Sequence, residues 1–480
     1  MAERHGIYTT EAPFSVPTPV SPMATLPVVF GTAPVNLTAL EKPPVNLPVL
    51  CKSWTEAVEA FGYSEDWGSY TLCEMMYSHF QLYKQSPVVF VNVLDPAKHK
   101  TTVAPKDIPV VDDMATIQVE GIIKDSVVVK SADGATSYKK DKDYTLAYNQ
   151  SGFLVIAVKP GGAIESATKL SVGYDKLDRN AVTSADIIGG TDPNTGKVTG
   201  LELIKQIFPR FQMVPGLLLA PGFSHDPAVA AVMKVKGENL NGHFKSTALV
   251  DLPADRPYPN LAAWKKENKY DSNRQIAGYP KLIKSGKVYH FSTQLAGVIC
   301  QTDKENNGVP YRSPSNKPLQ VDGAVLDDGT EVALGPDEAE YLNSQGIITA
   351  LNFIGGWRTF GNRTAAFPEV IDSQNAFIPI RRMMDWIQNY VTLTYWQHLD
   401  DPSDKRLIET VTDSLNIWFN GLQASGFILG GRVEFHKEDN PDYNLVDGKL
   451  KFRIYFAAPS PAQDIEFVVE YDAQYLAAIG

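Results

Sequence analysis

Apolar residues follow two different periods along this chain, and the changes of period divide it into parts. Near the C-terminus, Ile408, Val411, Leu415, Trp418 and Leu422 recur at spacings of three and four. That spacing lines them along one side of a helix and predicts a packing helix over residues 403–424. A further helix is predicted over 380–397, and strands at 431–436, 450–456 and 465–471. In the last strand Ile465, Phe467, Val469 and Tyr471 share one face, with Glu466, Val468 and Glu470 on the other. Pro459 and Pro461 stand in the connector before it.

Toward the N-terminus the order is strand, helix, helix, strand. A short apolar run at 26–32 predicts a strand, and Ser53 is placed to cap a helix over 54–61 that Gly62 ends. A helix is predicted over 70–84 and a strand over 88–94, after Pro87. This opens an α/β layer. From about 95 to 177 strand runs dominate, at 117–123, 126–130, 144–148, 153–158 and 169–174, separated by turns such as Ala132-Asp133-Gly134. They predict a small β-sandwich or barrel inserted into the α/β domain. Helical and strand signals then alternate again, at 201–208, 216–220, 227–235 and 247–252, and the apolar run 294–300 reads as a strand. A parallel or mixed sheet covered by helices fits that alternation.

Residues 6–27 hold Pro13, Pro17, Pro19, Pro22 and Pro27, which remove amide donors and favour extended geometry over helix. Fifteen extended residues span about 50 Å at about 3.3 Å each. The segment therefore reads as an arm reaching beyond its own domain; a frayed terminus is the plain alternative. The fold class expected is α/β and α+β, multidomain: an α/β sheet domain with an inserted small β-sandwich or barrel, a C-terminal α+β domain and extended terminal arms. The parts are an arm (1–24), the first part of the α/β domain (25–95), the β-rich insert (96–180), an α/β middle domain (181–350), a C-terminal α+β domain (351–462) and a terminal strand arm (463–480).

A chain of 480 residues is too long for one ordinary core, and 44% hydrophobic with 21% charged residues leaves little room for extended disorder. The net charge of −11 disfavours a broad nucleic-acid footprint. Cys51, Cys73 and Cys300 are widely spaced, form no C-x-x-C, and read as reduced, buried thiols. The first residues lack an apolar signal core, and no run approaches the length of a membrane span, so neither secretion by signal peptide nor membrane insertion is expected.

Tests for chemistry come out negative. Gly190-Thr-Asp-Pro-Asn-Thr-Gly196-Lys197-Val198 has one residue too many for a phosphate-binding loop and no hydroxyl after the lysine. Ser224, His225 and Asp226 are adjacent and cannot line up as a triad, whereas a helix cap followed by Pro227 accounts for them. H-E-x-x-H is absent, and the acidic run 438–442 lacks the glycine and closing glutamate of a calcium loop and reads as a solvated hairpin. No cofactor, metal or catalytic residue is expected.

Several segments resemble the sheath proteins of contractile phage tails. Gly6-Ile-Tyr-Thr-Thr-Glu11 is similar to the start of their N-terminal arm. Thr191-Asp-Pro-Asn-Thr-Gly196, Thr199-Gly-Leu-Glu-Leu203 and Ala220-Pro-Gly222 are similar to the opening of their α/β domain. Most specific are Pro310-Tyr-Arg-Ser-Pro-Ser-Asn-Lys317, Gly355-Gly-Trp-Arg-Thr-Phe-Gly-Asn-Arg-Thr364 and Ile380-Arg-Arg-Met383. The resemblance spans nearly the whole chain. It implies an inner layer built from the N- and C-terminal parts with the middle domains outward, and a non-enzymatic subunit of a helical homopolymer that surrounds an inner tail tube. Contraction of the polymer would drive the tube through a target envelope. The other partners implied are baseplate and tail-terminator proteins, with no direct nucleic acid and no membrane insertion. The implied location is the virion tail, assembled in the bacterial host cytoplasm.

Strand exchange between subunits then gives the two chain ends a role. An extended segment can complete a foreign sheet edge through main-chain hydrogen bonds. Ile7, Tyr8, Thr9 and Thr10 would join one neighbour and Ile465, Phe467, Val469 and Tyr471 another. The receiving edges would lie near 431–436 and 450–456, including Phe452, Ile454 and Phe456. The family implies that the C-terminal domain faces the tube, and Lys405 and Arg406 are candidates for that contact. Arg358, Arg363, Arg381 and Arg382 read as interdomain or intersubunit pairing residues. Two alternatives stay open: the sheath of a headless phage-like bacteriocin or related injection system, and, more distantly, an α/β hydrolase.

Overall fold

Fully apolar runs of three to five residues can be buried only on both faces at once, and that is where the chain puts them. The structure, a computed structural model, describes residues 24–164 and 166–475. Ile7, Tyr8, Thr9 and Thr10 lie outside the described residues. The central sheet contains β1 (Pro27–Gly31), β2 (Val49–Cys51), β3 (Val88–Asn92), β4 (Leu217–Leu219), β5 (Thr247–Asp251), β6 (Gln275–Gly278), β7 (Ile347–Asn352) and β8 (Trp357–Phe360), in the order β8-β7-β6-β5-β4-β1-β3-β2. The six middle strands run parallel, and β2 and β8 close the two edges antiparallel. In register, Val29 lies between Leu219 and Phe90, and Leu249 pairs with Ile276.

The helix Trp54–Phe61 starts where expected, with Glu56 N–H donating to Ser53 Oγ at 3.2 Å. The segment 294–300, read above as a strand, is instead part of α1 (Phe291–Lys304). Its residues are buried on every side, so the helix shows no polar face and its short apolar run looks like a core strand. Close packing explains Gly297: a Cβ there would stand 2.2 Å from the Tyr83 ring.

Between β3 and β4 lie two three-stranded antiparallel sheets. One has the order Lys100–Pro109, Lys169–Leu177, Val128–Ser131, and the other Met114–Ile117, Leu154–Val158, Tyr144–Tyr148. They enclose one buried cluster that includes Ile117, Val129, Leu154, Ile156, Leu170 and Val172. The strand expected at 117–123 does not form: the strand here is Met114–Ile117, and beyond Ile117 the chain turns, leaving only an isolated bridge at Ile122. The long strand Lys100–Pro109 was not expected, because it is largely exposed, polar and interrupted by Pro105. A bulge between Val103 and Lys106 accommodates that proline.

At the C-terminus, α2 (Ile378–Tyr395), α3 (Lys405–Ala424) and a hairpin of β9 (Gly430–Glu434) with β10 (Arg453–Ala457) share a separate buried cluster. Val411, Leu415 and Leu422 of the predicted stripe are buried, with Phe419 at the centre, while Trp418 stacks on Tyr390 at 3.9 Å. The acidic run 438–442 is no simple hairpin turn. It forms the helical turns Lys437–Asp439 and Asp442–Val446 around a buried Asn440, whose amide bonds His436 O and both main-chain groups of Lys451. The strand expected at 465–471 pairs with none of the described strands.

Polar contacts fix α2 to segments at the N-terminal ends of the parallel strands. Arg382 pairs with Asp303 of α1 and donates to Ala24 O, where the chain enters β1. Asp385 receives Arg274, which precedes β6, and Arg381. Lys245, just before β5, donates its N–H to Asn389 Oδ1 at 2.8 Å, and Asn389 Nδ2 donates back to Lys245 O at 2.9 Å. Arg382 thus pairs across segments far apart in sequence, whereas Arg381 pairs with Asp385 inside α2 itself. The α3 and hairpin cluster is tied through α2 to the central sheet.

Candidate assembly interface

The hairpin exists because β9 and β10 each put one apolar face on α3. Gly431 leaves room for the Phe419 ring, since a Cβ there would stand 2.4 Å from it. Phe435 meets Phe452, and Phe456 stacks near Phe419. Phe452, Ile454 and Phe456 therefore turn their side chains inward against the cluster of α2 and α3. What they offer a partner is main chain at the edge of β10. On the far face, Arg432 lies over the Tyr455 ring. Arg453 and Lys451 converge on Asp439 and hold its carboxyl down at about 2, the hydrogen bond from Arg453 being the main cause.

Beyond β10 the chain runs out along the surface. Ile465, Phe467, Val469 and Tyr471 are 66%, 83%, 92% and 82% exposed, an alternating apolar row with no cover among the described residues. One polar contact steers the segment: Arg363, seated over the rings of Phe377 and Phe367, donates from Nη2 to Gln463 Oε1 at 2.8 Å. Lys405 and Arg406 are exposed in the first turn of α3, behind its cap Asp404, and Lys405 reaches Glu409 at 3.4 Å. Arg358 donates to Asn316 O.

A second place where chemistry could sit is the crevice at the C-terminal ends of the parallel strands, where α/β folds hold their ligands. It is a cavity of about 280 Å³ bordered by Thr71, Gly222, His225, Asp251 and His290. The start of α1 points its amides there, but the chain's own carboxylates take them. His290 N–H donates to Glu74 Oε1 at 2.7 Å and Ser292 N–H to Asp251 Oδ1 at 2.8 Å. Burial pushes His290 down, yet Glu74 beside its Nδ1 outweighs this and holds the imidazole above its usual value. Ser224 is buried and donates to Asp251, while Asp226 caps the helix Pro227–Glu238 and His225 faces solvent. The three neighbours face three ways and form no triad. Among the described residues no group of side chains has the makeup of a metal site, and no helix is long and apolar enough to cross a membrane.

No protein-family model matches the chain. It is 26% identical to the tail sheath protein of Burkholderia phage BcepMu over 98% of this chain and 97% of that one. It is 24% identical to the tail sheath protein of Escherichia phage P2 over 64% of this chain and 75% of that one. Among solved structures, the fold is similar to the contracted sheath complex of the PVC extracellular contractile injection system, with a TM-score of 0.58 at 14% identity over 99% of both chains. The helical sheath of the anti-feeding prophage in its contracted state also gives 0.58 at 14% identity, over 98% of this chain and 100% of that one. With the BcepMu match running the length of both chains, this chain is a homologue of the phage tail sheath proteins.

Proposed function

We infer that the chain is the subunit of a contractile tail sheath, which polymerises helically around an inner tube and contracts to drive that tube through a target cell envelope. The observation that carries this reading is the pairing of two unfinished features in a sheath homologue. One is an exposed row of alternating apolar residues at 465–471, and the other is a two-stranded hairpin with free edge groups. Each completes the other when they come from different copies. Such contacts do not close on themselves, so they build a helix. Five or six ladder hydrogen bonds at about 0.5 to 1.5 kcal/mol each would hold neighbours together while their bodies rotate. Residues 7–10 would supply a further strand.

On this reading the hairpin, α2 and α3 form the inner layer against the tube, and the strand-rich part at 96–180 is an inserted sandwich facing outward. Baseplate and terminator proteins cap the polymer, and its place is the tail of a particle assembled in the host cytoplasm. Lys405 and Arg406 meet the tube, and reversing both charges is expected to block tube-dependent assembly. The subunit performs no catalysis, since contraction needs only an extended lattice trapped behind a barrier and relaxing to one that buries more surface. The self-capped start of α1 fits a crevice without substrate. A fluorophosphonate probe that labelled Ser224 would overturn that part.

The decisive experiment is deletion of residues 1–20 or of 463–480. Either truncated chain is expected to stay soluble and folded and to form no sheath; ordered contractile tubes by electron microscopy would sink the strand-exchange reading. A second reading, the sheath of a headless bacteriocin or injection system, is favoured by the fold's likeness to the PVC and anti-feeding prophage sheaths. Capsid and terminase genes beside this one would decide for a phage.

A further inference from the structure

The two edges of the β9–β10 hairpin are not equivalent. On the outer side of β9, Val433 N–H donates to Asn416 Oδ1 at 2.9 Å, and Asn416 Nδ2 donates to Val433 O at 3.2 Å. One side-chain amide from α3 thus occupies the donor and the acceptor that an added strand would need in the middle of β9. These bonds also set the phase of the ladder. Val433 points its main chain away from β10, so its partner Ile454, and with it Phe452 and Phe456, point theirs away from β9. Ile454 and Phe456 make no main-chain hydrogen bond outside the hairpin among the described residues. One edge is stoppered and the other is open.

We propose that the hairpin accepts strands only along β10, and that Asn416 is the residue that makes it one-sided. The occupant is residues 465–471 of a second copy, whose alternating side chains match the pleat of β10. This segment does not fold back on the β10 of its own chain; Arg363 draws its root at Gln463 to the loop before α2. The inference rests on the strand-exchange reading and adds a geometric rule to it. A strand of different sequence, residues 7–10 of another neighbour, would pair with the first, and the sheet grows in one direction only. Were β9 also free, copies could add on both sides and the lattice could branch.

The test uses the full-length chain and a fluorescein-labelled peptide with the sequence of residues 461–475, followed by anisotropy. One peptide per chain is expected. Replacing Phe456 by its α-hydroxy acid turns an outward amide of β10 into an ester, keeps the side chain, and is expected to weaken binding roughly fivefold, the worth of one hydrogen bond. The same replacement at Phe435 removes an outward N–H in line with Val433 on the β9 side and is expected to change nothing. Asn416→Ala should raise the stoichiometry to two. The proposal is overturned if the peptide does not bind, if the two esters act alike, or if the natural chain takes two peptides. Binding at both edges would remove the one-sidedness and leave strand exchange intact, whereas contractile tubes from the 463–480 deletion would remove the exchange itself.

Discussion

Arg382 and Asp303 meet face to face in the interior, Nη1 3.2 Å from Oδ1 and Nη2 2.5 Å from Oδ2, and they join α2 to α1 across 79 positions of sequence. Burial pushes the Asp303 carboxyl up, and Arg382 works against it. Breaking such a pair strands one charge in the interior, at a cost of about 3 to 5 kcal/mol. Asp303→Asn is therefore expected to lower the urea midpoint sharply. The double change Asp303→Leu with Arg382→Met should recover much of the loss, because no charge is left unpaired. Equal loss in single and double variants would show that the pair matters through its shape instead.

Gly297 sets two physical rules against each other. By helix propensity, Gly297→Ala inside α1 should stabilise by about 1 kcal/mol. By packing, the new methyl would stand 2.2 Å from the Tyr83 ring, whose hydroxyl is fixed to Gln294 Oε1 at 2.7 Å, so overpacking by about 1 to 3 kcal/mol should win. Thermal unfolding of the variant should show a lower midpoint; a higher one would mean that Tyr83 can move aside.

His79 is buried after the helix Thr71–Met76, and its Nδ1 has no hydrogen-bond partner among the described residues. Burial pushes its pKa down to about 3. In the unfolded chain the same ring takes a proton near pH 6.5. Between those values only the unfolded state binds the proton, so stability falls as pH drops, by up to about 1.4 kcal/mol per pH unit. His79→Gln should flatten the change in urea midpoint between pH 7.5 and 5. An unchanged slope would place the acid sensitivity elsewhere.

Phe419 fills the centre of the cluster between α2, α3 and the hairpin. Phe419→Ala is expected to cost about 3 to 5 kcal/mol. Its effect should be local: amide exchange should quicken across α3 and the hairpin while the central sheet keeps its protection. Uniform quickening would mean that the two bodies unfold as one.

Much of the architecture could be read from residues alone, and the reason differs by element. The stripe on α3 was visible because one face meets a core and the other meets water, and Ser53 marked a helix start because its cap bond is local. In α1 the reading failed: with every side buried, only length separates a helix from a strand. Lys100–Pro109 stayed hidden because a mostly exposed strand carries no apolar alternation. Of the candidate interface, the alternating tail at 465–471 was legible, but Asn416 left no mark.

What the sequence determined by itself was whatever depends on neighbours in the chain: the periods of its apolar positions, the clustering of prolines toward its ends, the lack of a phosphate-binding or catalytic motif, and the likeness to sheath proteins. The tertiary structure decided which groups were already satisfied. Glu74 and Asp251 close the start of α1, and Asn416 closes β9 while β10 stays open. A hydrogen bond between residues far apart in the chain depends on how whole elements pack, and no local pattern records that.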